Sequence, residues 1–218
     1  MRPHLRFIGD VHGYISYYIH LAENAEYSVQ LGDMGFDYKQ ISKKLSADKH
    51  KILAGNHDNY EFFENCFVNQ TPHFLGDFGS YSVPQVGDIF FVRGGHSIDK
   101  NFRTWGVDWW SDEQLNYGQG EAALDLYKSL KPSIVISHEC PSSVIPMVST
   151  LDKWEGREIQ PSYTAQLLEN MLYAHQPKHW FFGHHHRSWS KVIGDTCFRC
   201  LDQLEVYDFP ISDKKEYA

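Results

Sequence analysis

The chain is short of cysteine, of positive charge and of long apolar runs, and each shortage closes a class of function. Only four cysteines, Cys66, Cys140, Cys197 and Cys200, occur among 218 residues. One pair, Cys197-x-x-Cys200, has metal-like spacing, and without a second such pair it cannot complete a four-ligand structural zinc site. The cysteines therefore read as small apolar residues on a strand or its turn. No stretch approaches the roughly 20 apolar residues that a bilayer-spanning helix needs. The N-terminal residues Met1 to Arg6 lead into the first expected strand without an apolar leader, so a cytoplasmic protein with no membrane attachment is expected. Lys and Arg number 20 against 28 Asp and Glu, a net charge of −8, which weighs against a duplex nucleic-acid partner because phosphate neutralisation dominates such binding. A small anionic substrate held through metal ions escapes that argument, since bound dications make a site locally positive. Internal repeats and low-complexity tracts are also absent.

What is present is enough for one sizeable core: 42% of the residues are hydrophobic, and the length favours a single domain, residues 1–211, followed by a polar tail, 212–218. Leu5 to Ile8 reads as a strand, followed by a helix opened by Gly13 with Ile15, Tyr18, Ile19 and Ala22 on one face. A strand from Tyr27 to Leu31, a short helix from Tyr38 to Ser46 and a strand from Lys51 to Ala54 complete a β-α-β-α-β pattern, which calls for parallel pairing with helices on the sheet faces. A short helix is expected at Tyr60 to Asn65. The runs Phe74-Leu75, Tyr81 to Val83 and Ile89 to Val92, separated by Gly and Pro, then predict antiparallel strands. A helix carrying Ala123, Leu126, Tyr127 and Leu130 leads to a strand at Ser133 to Ile136. Cys140 to Gln160 reads as the longest loop. Ser162 is placed to cap a helix carrying Leu167, Leu168, Met171 and Leu172. His179 to Phe182 is the next strand, and three closing antiparallel strands follow at Trp189 to Ile193, Thr196 to Leu201 and Leu204 to Tyr207.

Five of these places share one grammar: an apolar run, a small residue, then a side chain able to bind a metal. They are Phe7-Ile8-Gly9-Asp10-Val11-His12, Gln30-Leu31-Gly32-Asp33, Ile52-Leu53-Ala54-Gly55-Asn56-His57-Asp58, Ile134-Val135-Ile136-Ser137-His138 and Phe181-Phe182-Gly183-His184-His185-His186. In an α/β sheet ligands gather outside the carboxyl ends of the strands, so five such ends can meet in one crevice. Taken singly, Asp10 could be a helix cap and the three histidines a solvated turn. Taken together, they supply carboxylates able to bridge two cations, imidazoles suited to transition metals and one uncharged carboxamide. That inventory exceeds the needs of a single zinc ion and fits a two-metal clamp for phosphoryl chemistry.

In order and spacing, Asp10-x-His12, Gly32-Asp33, Gly55-Asn56-His57-Asp58, His138 and Gly183-His184-His-His186 resemble the motif set of the calcineurin-like metallophosphoesterase superfamily. The resemblance implies a four-layer α-β-β-α sandwich with two mixed sheets and the metal site at the strand C-terminal ends. It implies two divalent transition-metal ions, manganese being expected in vitro and iron, zinc, cobalt or nickel being alternatives. Asp10, His12 and His186 would hold one metal and Asn56, His138 and His184 the other, with Asp33 bridging. His57 would serve as the catalytic residue that stabilises or protonates the leaving oxygen, and Asp58 would fix its tautomer and raise its basicity. His185 is expected in packing or behind the ligands.

The sequence departs from the phosphoprotein phosphatases of that superfamily. Their Asp-Arg-Gly after the bridging aspartate is replaced by Gly32-Asp33-Met34-Gly35-Phe36-Asp37, and the third motif ends in Asp58 rather than Glu. The missing phosphate-gripping arginine favours a phosphodiesterase that cleaves a small nucleotide or similar organic phosphate by attack of a metal-bridging hydroxide. A phosphomonoesterase or phosphoprotein phosphatase is the alternative, with a nuclease and a non-catalytic protein-binding scaffold behind it. Candidate substrate contacts are Arg93, His96, Arg103 and Trp109, with Arg157 in the long loop and Trp105 and Trp110 able to stack on a nucleobase.

Overall fold

Phe7 and Phe181 stack face to face with ring centroids 4.0 Å apart, and the two sheets that carry them form the middle of the molecule. The computed structural model describes residues 4–36, 38–62, 72–148, 153–154, 157–158 and 161–210. The first sheet consists of β1 (His4–Ile8), β2 (Tyr27–Gln30), β3 (His50–Ile52) and β12 (Val206–Pro210), in the order β12-β1-β2-β3. β1, β2 and β3 run parallel, and β12 closes the edge antiparallel to β1. The second sheet has the order β10-β11-β9-β6-β5-β4, built from β4 (Phe78–Val83), β5 (Gly87–Val92), β6 (Ile134–Ser137), β9 (His179–Phe182), β10 (Trp189–Ile193) and β11 (Thr196–Cys200). Its centre is parallel, and the hairpins β4-β5 and β10-β11 add antiparallel edges. Both sheets are mixed, as expected.

Three apolar layers hold this arrangement together. Between the sheets lie Leu5, Phe7, Val29, Leu31 and Leu53 from one side and Ile89, Phe91, Ile134, Ile136 and Phe181 from the other. Outside the first sheet, α1 (Ile15–Glu23) and α2 (Ile41–Lys44) pack Ile15, Tyr18, Ile19, Ala22 and Ile41 against Ile8 and Ile52. Outside the second, α3 (Tyr117–Leu130) and α5 (Tyr163–Ala174) bring Ala123, Tyr127, Leu167, Leu168 and Met171 onto Phe90, Val135, Trp180 and Phe182. The central strands are covered on both faces and so read as continuous apolar runs rather than alternating ones. Each fully buried Phe or Leu contributes about 1.5–3 kcal/mol.

Local signals set the helix ends. Asn116 and Gln119 form a reciprocal capping box at the start of α3, and Lys131 closes it in the left-handed region at φ 46° just before Pro132. Ser162 caps α5 by accepting from the Ala165 amide, as expected. Leu126 is only partly buried and Leu130 is exposed, so the buried stripe of α3 is narrower than the sequence predicts. α2 is one turn instead of the expected Tyr38 to Ser46, because Leu45 turns extended and Tyr38 is drawn toward Asp58.

Two further expectations are corrected. The Cys140 to Gln160 segment is not all loop, for it contains α4 (Ile145–Val148) and a small hairpin of β7 (Lys153–Trp154) and β8 (Arg157–Glu158). The last expected strand begins later than Leu204, at Val206, and pairs antiparallel with β1 in the first sheet. Residues 63–65 of the expected Tyr60 helix, Cys66, the tail 212–218 and the Arg157 side chain lie outside the described residues. Among the described residues no helix is long and apolar enough to cross a membrane.

Candidate metal centre

All five sequence motifs meet at one edge of the sandwich, because β1, β2 and β3 of the first sheet and β6 and β9 of the second end on the same side. Backbone hydrogen bonds lace these ends together. The Val11 and His12 amides both donate to the Asp33 carbonyl at 2.9 Å, Gly94 donates to Ala54 at 2.8 Å, and Gly183 donates to His138 at 3.1 Å. The His184 amide donates across the two sheets to both carboxylate oxygens of Asp10 at 3.2 Å.

Asp10, His12, Asp33 and His186 form the first donor set, each offering an atom within 4.8 Å of the others. His186 Nε2 lies 3.0 Å from Asp10 Oδ2 and 2.9 Å from His12 Nε2, and His12 Nε2 is 3.7 Å from Asp33 Oδ2. The second set shares Asp33. His138 Nε2 lies 3.2 Å from Asp33 Oδ1 and 3.0 Å from Asn56 Oδ1, and the His138 and His184 rings are 4.9 Å apart.

The ring and amide orientations suit coordination. His138 Nδ1–H donates to the Leu31 carbonyl at 2.8 Å, which leaves Nε2 facing the carboxylate side. Asn56 Nδ2 donates to Ser97 Oγ at 3.0 Å, and Ser97 Oγ in turn donates to Glu113 Oε2 at 2.6 Å, so the carboxamide oxygen of Asn56 is turned toward His138. His184 Nε2 lies 3.2 Å from Glu139 Oε2, which reserves Nδ1 for another partner.

The charges in this cluster are already arranged around cations. Burial would raise the Asp10 carboxyl, but hydrogen bonds from His12 and His186 outweigh it and bring it down to about 2. Burial likewise opposes the ionised form of Asp33, and the charge and hydrogen bond of His138 prevail and lower it. His138 pays the converse: burial would lower it, yet Asp33 and Asp10 push it up to about 10. Protons thus sit on nitrogens that face ionised carboxylates, the positions a dication would take. With buried carboxylates, imidazoles of fixed tautomer and one carboxamide oxygen, the residues fit two divalent ions that share Asp33.

The backbone is strained at these residues. His12, Asp33, His184 and His186 all have positive φ, at 46°, 58°, 67° and 47°, a region that non-glycine residues seldom occupy outside functional sites. The segment His184 to His186 is therefore not extended, and His185 lies behind the candidate ligands with Nε2 2.9 Å from Glu139 Oε1 and 3.4 Å from Cys140 Sγ. The small residues of the sequence grammar also have a reason. A Cβ on Gly183 would overlap Asp10 Oδ1, and one on Gly55 would overlap Asp33 Oδ1, so only glycine lets these carboxylates pass.

Beside the first donor set, the His57 ring lies 4.9 Å from that of His12, and the His57 amide donates to Asp33 Oδ1 at 2.7 Å. The expected pairing of His57 with Asp58 is corrected. Asp58 is wholly buried and accepts from the amides of Gly55 (2.7 Å), Asp33 (3.0 Å) and Met34 (3.1 Å) and from the Tyr38 hydroxyl (3.0 Å). Burial and the neighbouring Asp33 charge raise its carboxyl to about 7. His57 Nε2 meets Arg103 Nη2 instead. Burial, helped by Arg103 and opposed by Asp33, draws the His57 imidazole down to about 4, so the ring accepts from the guanidinium.

The other substrate candidates separate. Arg93 is buried and committed to Asp77 Oδ1 at 2.5 Å and the Asp112 carbonyl at 2.6 Å, with its guanidinium over the Tyr60 ring, so it is a brace rather than a substrate contact. Trp109 donates its indole N–H to Glu113 Oε2 at 3.0 Å and so belongs to the support behind Ser97 and Asn56. Trp110 is buried and Trp105 exposed. His96 is half-exposed beside Gly95, with Nδ1 3.3 Å from Gln114 Nε2. Glu113, Ser97, Tyr38 and Glu139 were not legible as site residues in the sequence. Only Glu139 carried a signal, an acidic residue directly after a ligand histidine at the end of an apolar strand.

The family model described as calcineurin-like phosphoesterase matches residues 4–188. No curated protein matches the chain in sequence. Among solved structures, a protein of Thermus thermophilus is similar at a TM-score of 0.54 and 12% identity, covering 97% of this chain and 100% of its own. A dimetal phosphatase from Danio rerio is similar at a TM-score of 0.51 and 13% identity, over 93% of this chain and 88% of its own. A putative 5'-nucleotidase from Staphylococcus aureus is similar at a TM-score of 0.53 and 13% identity, over 99% of this chain and 56% of its own. At these identities the likeness is one of fold.

Proposed function

The chain belongs to the calcineurin-like phosphoesterase family, and from that premise we propose that it hydrolyses a small organic phosphate ester, such as a nucleotide, at a centre of two divalent transition-metal ions. The observation that carries this reading is the sharing of Asp33 between the two donor sets, one oxygen toward His12 and the other toward His138. Asp10, His12, Asp33 and His186 would hold one ion, and Asp33, Asn56, His138 and His184 the other. Two bound dications supply an activated water near neutral pH and neutralise charge on the phosphoryl oxygens.

The chain's own residues do the rest. Asp58 holds the Gly55 to Asp58 turn and the Asp33 turn in one rigid unit, which fixes the side chains that face the substrate. His57, next to His12 and Arg103, borders the place where a phosphoryl group bound at the centre would lie. A dianionic phosphoryl arriving there favours the imidazolium, and His57 then stabilises or protonates the leaving oxygen. The diester preference expected from the sequence rests on a missing arginine. Arg103 beside His57 removes that ground and supports the monoester reading.

The test is hydrolysis of p-nitrophenyl phosphate and its bis ester by metal-stripped protein reloaded with manganese. Cleavage of at least one ester that depends on metal and is abolished in Asp33→Ala supports the reading. Two bound metals with no hydrolysis of either ester, or of a panel of nucleotides, overturns it in favour of a binding scaffold.

A further inference from the structure

We propose that Arg103 determines the substrate class of this site: its guanidinium receives the ester-free oxygen that a phosphomonoester has and a phosphodiester lacks. The inference rests on the metal centre described above and adds the group that discriminates between its substrates.

Arg103 follows a single 3-10 turn, Lys100–Phe102, and its backbone is extended there. Only 7% of that side chain is exposed. Asp99 holds it from one side, at 3.0 Å from Nε and 2.8 Å from Nη2. On the other side Nη2 meets His57 Nε2. The remaining nitrogen, Nη1, is buried and has no hydrogen-bond partner among the described residues. A guanidinium carries five N–H donors and stays charged at any working pH. A buried N–H without an acceptor is destabilising, so this nitrogen calls for one more acceptor, the role we assign to a substrate oxygen.

That anion has a definite chemistry. Two divalent ions at this centre would each engage one phosphoryl oxygen. In a monoester a third oxygen, bearing part of a double negative charge, is left to face the protein. In a diester the corresponding position is an ester oxygen with a second carbon substituent, uncharged and larger. A guanidinium beside His57 makes a charge-assisted hydrogen bond to the former and leaves its N–H poorly matched by the latter. Three other arginines are engaged elsewhere. The Arg93 guanidinium is already engaged by Asp77, Asp112 and Tyr60, Arg6 is engaged by Asp208 and the Leu21 carbonyl, and Arg199 lies over Tyr207.

The experiment compares the manganese-loaded protein with Arg103→Met and Arg103→Lys, measuring kcat/KM on p-nitrophenyl phosphate and its bis ester, metal content, and binding of inorganic phosphate by calorimetry. Arg103→Met is expected to lower kcat/KM for the monoester by about 100-fold and for the diester by less than about 3-fold, the scale seen when one preorganised donor to a developing oxyanion is removed. Phosphate binding weakens at least about 10-fold with both metals retained, and Arg103→Lys recovers part of each loss because a point charge replaces the fork. Equal losses on the two esters, loss of a metal, or unchanged phosphate binding in a folded Arg103→Met protein overturns the proposal. Phosphate binding reads Arg103 even if neither ester is turned over, so failure of the specificity role and failure of the hydrolase reading are told apart.

Discussion

Glu139 Oε2 lies 3.2 Å from His184 Nε2, while the other oxygen of the same buried carboxylate accepts from the Cys140 amide at 2.8 Å and lies 2.9 Å from His185 Nε2. Facing the two imidazoles, the carboxyl is held well below its usual range despite burial. A single carboxylate thus orients a candidate ligand from behind and anchors the residue beside it. Glu139→Gln replaces one acceptor oxygen with an amide N–H₂, which cannot accept from either ring. The expected result is a folded protein whose affinity for one of two manganese ions falls by about 10–100-fold. Calorimetric metal titration checks it, and unchanged affinity for both ions would remove Glu139 from the site.

Gly183→Ala tests the close approach of the two sheets. The new Cβ would overlap Asp10 Oδ1, and Asp10 is buried with its oxygens tied to the His184 amide and to His186. The carboxylate must move, with destabilisation of about 1–3 kcal/mol as for other overpacked positions and loss of metal from the set containing Asp10. Urea unfolding together with metal analysis reads both effects.

Asp58→Asn separates a structural brace from a tautomer-fixing partner. The carboxylate satisfies three backbone amides and the Tyr38 hydroxyl, and an amide group can serve only part of that set. A stability loss of roughly 2–3 kcal/mol is expected from the donors left unpaired, along with weaker metal binding. If stability and metal content stay at the parent's level while the pH profile of turnover shifts, the brace assignment fails and the partnership with His57 returns.

Stability should fall on mild acidification through two histidines remote from the metal centre. His50 is buried with Nδ1 2.9 Å from Ser28 Oγ, and His73 Nε2–H donates to the Leu45 carbonyl at 3.1 Å. Burial and the neighbouring His73 bring His50 down to about 4 from an ordinary 6.5, and burial lowers His73 as well. Between those values the unfolded chain binds protons that the folded chain refuses, so stability rises with pH across the window and is lost as pH falls from about 6.5 toward 4. Melting temperatures recorded over that range in the parent and in His50→Gln check the sign. The variant should show the shallower slope.

Much of the site was legible because a strand end constrains sequence strongly. An apolar run marks the buried strand, a glycine marks the place where a neighbouring carboxylate must pass, and the ligand follows at once. Gly55 and Gly183 owe their identity to Asp33 and Asp10, residues distant in the chain, yet each leaves its mark locally as a missing side chain. Most strands and helices followed from the same runs, whereas their division into two sheets came from the family resemblance. What escaped depends on contacts with no local trace. Asp58 follows His57 directly, and proximity suggested a pair, whereas its carboxylate turns inward to amides of another turn. The role of Glu113 exists only through Ser97 and Trp109, and Arg103 reaches His57 by way of a loop whose path no periodicity encodes. The last strand looked like its predecessors, and nothing in five residues says which of two sheets it will join.

That last strand sets the order in which the molecule can be made. β12 pairs with β1 from His4↔Pro210 to Ile8↔Val206, so during synthesis β1 waits for almost the whole described chain before its outer edge is covered. Until then an apolar strand presents unpaired amides and carbonyls, a template for pairing with other nascent chains. Long-range closure of this kind is slow. Yield during expression should therefore fall as more chains are synthesised at once, because open β1 edges then meet one another before β12 arrives to cover them.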